Sequence, residues 1–277
     1  MLAVAVAVAV MAPLAQAAPK RIVALTPFTA NTLVGIGVKP VGIGQTLGGQ
    51  KRLSKKLDGV RTLPLSHPNG PNMEQLARLN PGLVLSSPTW RKGAPTMRSL
   101  DIKVVMSDPD RIAGVAPEIR KIGKVVGRRK QARKLAASVK ADIAAARKGI
   151  KSRPKVLVLL GVGRTPFAFL ENSWGGDLVS EAGGDLLTAG LDEPGGFARI
   201  SDEQVLKEDP DVIIAVPHAD EDDIPGITKY MRDNPIWKVT KAGQNDRIYI
   251  SNDNSLLQAS TDTGKVIRSV RSRFLKN

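Results

Sequence analysis

The sequence predicts an α/β protein with two Rossmann-like α/β lobes, joined by a single long rigid helix and separated by a ligand cleft. Short buried strands alternate with helices in the first third of the chain, and the same alternation restarts at Lys155. Between them lies a long stretch rich in Ala, Lys and Arg with helical periodicity. Strands that alternate with helices form parallel sheets. A chain of 277 residues is long enough for two such units.

These changes of pattern set the domain boundaries. We expect a signal peptide at 1–17, an N-terminal lobe at 18–112, a connecting helix at 113–152 and a C-terminal lobe at 153–277. An apolar run from Leu2 to Leu14 precedes the small-x-small site Ala15-Gln16-Ala17, which is typical of a cleaved leader. The run is too short to cross a bilayer comfortably. We therefore expect an exported protein, periplasmic or otherwise outside the cytoplasm, with the true start codon and cleavage site left open.

The predicted strands of the N-terminal lobe are short apolar runs that end in Pro, Gly or polar turns. They cover residues 21–25, 40–43, 61–65, 83–86 and 102–106. Helices are predicted at 29–36 and at 73–79, where Asn72 is a suitable N-cap. In parallel units of this kind, ligands gather at the loops that follow the carboxyl ends of the strands.

The rest of the chain repeats this design after one helical stretch. Residues 113–150 predict one long helix, with a break near Gly127. Strands are predicted at 156–160, 212–216 and 247–250, and helices at 177–182, 202–207 and 263–275. The loops that follow the strands of both lobes should then meet across the cleft.

The charge of the chain favours anionic partners. Its net charge is +15 with a pI near 10.2, which suits nucleic acid, acidic surfaces or anionic small molecules. Solubility alone is an equally good explanation, and no nucleic-acid-binding motif accompanies the basic residues, so we expect no nucleic-acid partner. The absence of Cys excludes disulfides, a Cys nucleophile and a lipid anchor through Cys.

Motifs for catalysis are missing. No Walker A sequence, Gly-x-Ser-x-Gly elbow or His-Glu-x-x-His pair occurs, and no nucleophile–base pair stands out. We therefore predict that the protein is not an enzyme and has no catalytic residues and no cofactor. With only two histidines and no Cys, we also predict no metal site built from protein ligands alone.

Candidate ligand-binding residues follow the predicted strand ends. His67 and His218 belong to different lobes, and three interpretations stay open for them: solvent-exposed loop residues, polar cleft contacts, or iron or haem ligands. Three arginines favour an anionic ligand, because guanidinium groups bind carboxylate, catecholate and hydroxamate oxygens with defined geometry. The full predicted set is His67, Trp90, Arg91, Arg164, Phe167, Trp174, Phe197, Arg199, His218 and Asn252.

Several segments resemble one family. The opening Arg21-Ile22-Val23-Ala24-Leu25-Thr26-Pro27 is similar to that of periplasmic binding proteins for iron-siderophores, haem and vitamin B12, the helical-hinge class of ABC importers. The most specific resemblance is Ile200-Ser201-Asp202-Glu203-Gln204-Val205-Leu206 followed by Asp209-Pro210-Asp211-Val212-Ile213-Ile214. Further resemblances at 76–85, 178–184 and 234–237 extend the likeness over the mature chain.

This resemblance implies a receptor that captures a metal chelate and delivers it to a dimeric membrane permease. It implies that Glu74 and Glu203, one on each lobe, dock onto Arg residues of the permease. Trp90, Phe167 and Phe197 resemble aromatic positions of the vitamin B12 binders. The arginines make an anionic ferric siderophore our first prediction, with cobalamin second and haem third. We expect a monomer, and the alternative from another class is a secreted basic protein that binds nucleic acid or surfaces.

Overall fold

The computed structural model describes residues 21–45, 53–219 and 222–276, so the predicted signal peptide lies outside the described residues. The strands are β1 Ile22–Ala24, β2 Gly42–Gly44, β3 Arg61–Leu63, β4 Leu65–Ser66, β5 Gly70–Pro71, β6 Leu83–Ser86, β7 Lys103–Met106, β8 Lys155–Val162, β9 Thr165–Phe169, β10 Asp185–Leu186, β11 Phe197–Arg199, β12 Val212–Pro217 and β13 Ile248–Ile250. The predicted strands are thus found, while β9, β10, β11 and the β4–β5 ribbon were not predicted.

The helices are α1 Pro27–Gly35, α2 Met73–Arg78, α3 Ala94–Ser99, α4 Ile112–Val125, α5 Arg129–Ala146, α6 Trp174–Ala182, α7 Asp202–Glu208, α8 Ile224–Asp233, α9 Pro235–Lys238, α10 Lys241–Gln244 and α11 Thr263–Val270. Helix α11 continues as a π-helical turn at Arg271–Leu275. Short 3-10 helices lie at Lys55–Leu57, Pro88–Gly93 and Asn254–Leu256. No helix in the described ranges is both long enough and apolar enough to cross a membrane.

Each lobe is built on one sheet, which confirms the predicted fold class. The N-terminal sheet has the order β3-β2-β1-β6-β7 and is parallel throughout. The C-terminal sheet has the order β11-β9-β8-β12-β13, with β10 paired to β8. Its strands β8, β12 and β13 are parallel, while β9 runs antiparallel to both β8 and β11. The carboxyl ends of β8, β11, β12 and β13 therefore share one edge.

The connection between the lobes differs from the single long helix predicted for 113–152. Two helices, α4 and α5, occupy this stretch, and the chain turns between them at Gly127, which has a φ of 71°. They approach so closely that a Cβ on Gly123 would lie 2.1 Å from the Cβ of Ala132. The break expected near Gly127 is confirmed, but it is a reversal rather than a kink. The hinge is therefore a packed pair of helices.

Apolar residues form one core that both lobes share and two that belong to single lobes. Successive strand residues point to opposite faces of a sheet. Val158 and Ile214 of the C-terminal sheet join Ala24 and Leu85 of the N-terminal sheet in the shared core, with Ile119 of α4 between them. The opposite faces bury separate clusters, one around Leu76 and Met97 and the other around Ile213 and Trp237.

Candidate functional site

The carboxyl ends of the two sheets bring one histidine from each lobe into the same cleft. His67 lies in the turn between β4 and β5, and His218 follows β12 directly. The charge of His67 acts on His218, so the two rings are electrostatic neighbours although they belong to different lobes. The prediction that both histidines follow strand ends at the cleft agrees with this arrangement.

His67 is presented to solvent on a small scaffold. The two-stranded β4–β5 ribbon leaves its side chain exposed. Its imidazole meets the indole of Trp90 edge to face, with ring centroids 6.1 Å apart and an interplanar angle of 67°. Such a contact is worth about 0.5–1.5 kcal/mol in aromatic pairs. The contact with Trp90 therefore helps to fix the position of the His67 ring.

The Trp90 side chain packs mainly in the apolar cluster that belongs to the N-terminal lobe alone. It is 8% exposed and packs in the cluster that contains Leu76 and Met97. Its indole Nε1 is buried and finds no hydrogen-bond partner among the described residues. A buried donor without an acceptor is costly, so a ligand or water that supplies an acceptor there would be favoured. Trp90 therefore stays a predicted ligand contact through its indole N–H group alone.

His218 is held more firmly than His67. It is half-buried, and its backbone N–H donates to the carbonyl oxygen of Gly161 at 2.9 Å, which extends the β12–β8 ladder by one residue. Burial, together with the charge of His67, lowers the pKa of His218. The neutral ring, which can accept a metal ion, therefore persists to lower pH than in an ordinary histidine.

Arg164 and Arg199 line one polar cavity of about 440 Å³ on the C-terminal lobe. Arg164 lies in the turn between β8 and β9, and Arg199 ends β11. Both side chains are exposed, and the hydroxyl-bearing Tyr230 lines the same cavity. Sequence reasoning did not place Tyr230 near the cleft, because α8 was not predicted. Two guanidinium groups in one cavity suit a carboxylate or another oxyanion.

Two of the predicted aromatic residues pack against the protein core to different extents. Trp174 begins α6, is 6% exposed, and its indole N–H donates to the carbonyl oxygen of Ser255 at 2.9 Å. Phe197 is half-buried and pairs with Phe169 across β11 and β9, with ring centroids 4.8 Å apart. The Trp174 ring is therefore engaged mainly in packing, and the assignment of both residues to the ligand site stays a prediction. Phe167, half-buried opposite Arg199, stays a candidate.

Arg91 and Asn252 remain predictions with less support. Arg91 is exposed in the 3-10 helix next to Trp90, and Asn252 is exposed just after β13. Both therefore lie near strand ends, as predicted, but neither takes part in the ring contact between His67 and Trp90.

Asp108 is a residue that the sequence analysis missed. It follows β7, and its Oδ1 accepts a hydrogen bond from Thr26 Oγ1 at 3.1 Å. Burial raises the pKa of Asp108 to about 7, although hydrogen bonds from Thr26 and Ser87 favour the ionised form. The available signal was its place just after a predicted strand, the same rule that identified His67. Near neutral pH its charge therefore depends on conditions.

The two predicted docking residues occupy equivalent places. Glu74 lies in the first turn of α2 and Glu203 in the first turn of α7, and both are exposed. Glu74 forms an ion pair with Arg78 at 2.9 Å. A hydrogen bond with the Ser201 side chain lowers the pKa of Glu203, which keeps that carboxylate ionised. Their role stays a prediction.

The lobes also contact each other away from the histidines. The Asn31 side chain donates to Ser260 Oγ at 3.2 Å, and the backbone N–H of Ile112 donates to Asp177 Oδ2 at 2.7 Å. A cavity of about 530 Å³ between α1 and α11 is lined by both lobes. These contacts tie the lobes together on the side of the shared core.

Comparison with known proteins gives one consistent picture. A family model described as periplasmic binding protein matches residues 22–254. The high-affinity heme uptake system protein IsdE of Staphylococcus aureus (strain MRSA252) is 29% identical over 219 residues, which cover 77% of this chain and 74% of that protein.

Solved structures agree with this match. An ABC transporter substrate-binding protein from Listeria monocytogenes EGD-e superposes with a TM-score of 0.78 at 25% identity, covering 93% of this chain and 99% of that one. S. aureus IsdE complexed with heme superposes with a TM-score of 0.74 at 29% identity, covering 92% and 99%.

Proposed function

The chain belongs to the periplasmic binding protein family, and on that premise we propose that it captures haem for an ABC importer, with His67 and His218 as the axial ligands of the iron. It is a solute-binding protein, not an enzyme. Our first sequence-based choice was a ferric siderophore and haem came third. The observation that supports the reversed order is one histidine on each lobe, close enough for the charge of His67 to act on His218.

The number of donors fits haem. A porphyrin supplies four nitrogens to its iron, which leaves two axial positions for the protein. The cleft offers one imidazole from each side, close enough for the charge of His67 to lower the pKa of His218. Binding the same iron through both rings would also close the lobes upon the ligand. No other protein ligand is needed.

The protonation state of His218 supports the same role. A metal-bound histidine must be neutral at the nitrogen that binds. Because burial lowers the pKa of His218, this ring is ready to bind without first losing a proton at neutral pH. Its fixed backbone position reduces the ordering needed when the iron arrives.

The arginines fit the acidic groups of haem. Haem carries two propionates, and Arg164 and Arg199 line one cavity at the same edge of the sheet as His218. β11 lies three strands from β12, which corresponds to about 14 Å at the usual strand spacing. Arg164, in the turn next to β8, is closer. We assign Arg164 to a propionate before Arg199.

The relatives point the same way. The name of the S. aureus relative records high-affinity heme uptake, and one superposed structure holds heme. Cobalamin is less favoured, because a cobalamin site was expected to rely on aromatic side chains, and Trp174 is buried while the half-buried Phe197 ring packs against Phe169. A ferric siderophore stays the second candidate, since two arginines in one cavity suit an anionic chelate that brings all its iron ligands.

The test is a titration of the mature protein with haemin, followed by Soret absorbance, beside ferric siderophores and cobalamin. We expect saturable haemin binding with a low-spin bis-histidine spectrum, lost in the double variant His67→Ala/His218→Ala. Asn69→Ala, in the same exposed turn as His67, is the matched control and should bind as the wild type does. Unchanged haemin binding in the double variant would overturn the proposal. A ferric chelate that binds tightly and is lost in Arg164→Ala/Arg199→Ala would establish the second candidate.

A further inference from the structure

Much of the net positive charge of the chain lies in one segment, around the turn between α4 and α5. Residues 120–134, which we call the basic hairpin, contain eight Lys or Arg residues and no Asp or Glu. All eight are exposed, and together they account for eight of the fifteen net positive charges of the protein. The basic hairpin comprises the end of α4, the turn at Gly127 and the start of α5.

These charges lie where they oppose the local structure. Helix α5 begins with Arg129 and Lys130, and its N-cap Arg128 makes no side-chain capping bond. Positive charges at a helix N-terminus are unfavourable, because the helix dipole is positive there. The pairs Arg129–Arg133 and Lys130–Lys134 also place like charges four residues apart, which is destabilising.

Partners for these charges are scarce in the protein itself. Lys121 bonds to Glu118 and to the carbonyl oxygen of Met106. The other seven form no ion pair with an acidic side chain in the described part of the chain. A sequence that breaks local rules without a visible internal compensation points to an external partner.

The backbone beneath these charges is firmly held. Ile119 and Ile122 of α4 are buried against Ala132 and Ala136 of α5 in the shared core. None of the large apolar side chains that are exposed in the described residues lies in the basic hairpin. The surface is therefore a fixed, broad array of positive charges with no apolar or aromatic anchor.

We propose that the basic hairpin binds the anionic phospholipid surface of the membrane that carries the importer. Clusters of four to eight Lys or Arg are typical of binding to anionic headgroups. An exposed array of positive charges without an aromatic anchor fits a plane of headgroups, whereas single-stranded nucleic acid recognition uses aromatic stacking platforms. Membrane binding would raise the local concentration of the protein at its permease.

The test is sedimentation of the protein with vesicles of phosphatidylglycerol and phosphatidylcholine, compared with vesicles of phosphatidylcholine alone. The variant Arg129→Glu/Lys130→Glu/Arg133→Glu reverses three positive charges and leaves the buried side of α5 unchanged. Lys92→Glu/Arg98→Glu/Lys103→Glu changes the net charge equally on exposed positions of the N-terminal lobe, which makes it the matched control.

We expect binding only to the anionic vesicles, weaker as salt rises, and reduced at least about 100-fold in the hairpin variant but far less in the control. We also expect the hairpin variant to unfold at a higher temperature, because Glu suits a helix N-terminus. Equal losses in both variants, or equal binding to neutral vesicles, would overturn the proposal. So would lower thermal stability of the hairpin variant, or a preference for duplex DNA over anionic vesicles at equal phosphate concentration.

Discussion

The two lobes present the same pair of residue types, a histidine near the predicted cleft and an exposed glutamate in the first turn of a helix, but they hold them differently. In the N-terminal lobe, His67 is exposed on a two-stranded ribbon and Glu74 is engaged with Arg78. In the C-terminal lobe, His218 is half-buried at the end of a central strand. Glu203 there lies at a helix start whose cap bonds lower its pKa.

This difference assigns different tasks to the lobes. The C-terminal lobe presents its groups already placed, so little entropy is lost when they bind. The N-terminal lobe has to order an exposed side chain and give up an ion pair, which costs free energy at the moment of contact. We therefore expect the ligand to bind first to the C-terminal lobe and the N-terminal lobe to complete the contact.

The largest expected effect concerns transport. We expect Glu74→Ala/Glu203→Ala to block uptake of the bound ligand by cells while ligand affinity stays unchanged, because both carboxylates are exposed on the outer side of their helices. Of the single variants, Glu203→Ala should lose more uptake than Glu74→Ala, since Glu74 already shares its charge with Arg78.

Arg78→Ala serves as the control for that asymmetry. It releases Glu74, and uptake should be retained or raised. Uptake at the wild-type rate in the double Glu variant would remove the docking role of both residues.

The second effect concerns the two histidines. Haemin affinity should fall by about 100-fold in His218→Ala and by about tenfold in His67→Ala, because losing a residue that merely supports a metal ligand already costs about 10–100-fold. The preset ring contributes more because it needs no ordering. Haemin titrations followed by absorbance measure both values. Equal losses in the two variants would show that the lobes hold their ligands equally well.

The smallest effect concerns Asp108, and it acts on stability. The pKa of Asp108 is raised to about 7 in the folded protein, so the folded state binds the proton more tightly than the unfolded state does. Its contribution to stability is therefore present at low pH and is lost as the pH rises towards 7. Asp108→Asn removes the ionisation and should stabilise the protein by about 1–2 kcal/mol at about pH 8, with little change at about pH 4.

Denaturant unfolding of both proteins across this pH range measures the difference. Parallel stability curves for the variant and the wild type would contradict the raised pKa. A variant that is less stable at every pH would show that Asp108 contributes to stability only through its hydrogen bond with Thr26.

Much of the fold could be predicted from local patterns. Strands such as those at 21–25 and 212–216 are continuous apolar runs that end in clear turn residues, which is the pattern of a buried strand. The strand β9 was missed because Thr165-Pro166-Phe167-Ala168-Phe169 returns antiparallel within a parallel unit, and a Pro in a run argues against a strand. The reversal at Gly127 was predicted only as a break, since a sequence does not show whether two helices continue or fold back.

The sequence could predict which residues follow the strands, but not which of their side chains are buried. The rule that ligands gather after strand ends selected His67, His218, Arg164 and Arg199, and the structure places each of them at or just after the end of a strand; their contact with a ligand stays a prediction. It could not separate them from Trp174 and Phe197, because an aromatic residue after a strand can face the core or the cleft. Tyr230 and Asp108 were missed for the opposite reason, since only the packing of α8 and the end of β7 brings them to the cavity and the cleft edge.

The shared core predicts how the protein behaves when it is cut into two fragments. Residues before and after Gly127 contribute to one apolar interior, so neither half keeps its surface covered when it is alone. Two separately produced halves, cut at that turn, should behave as complementary fragments that recombine on mixing. A ligand that both halves grip would strengthen the recombination, and the pair would then report the ligand by fragment complementation.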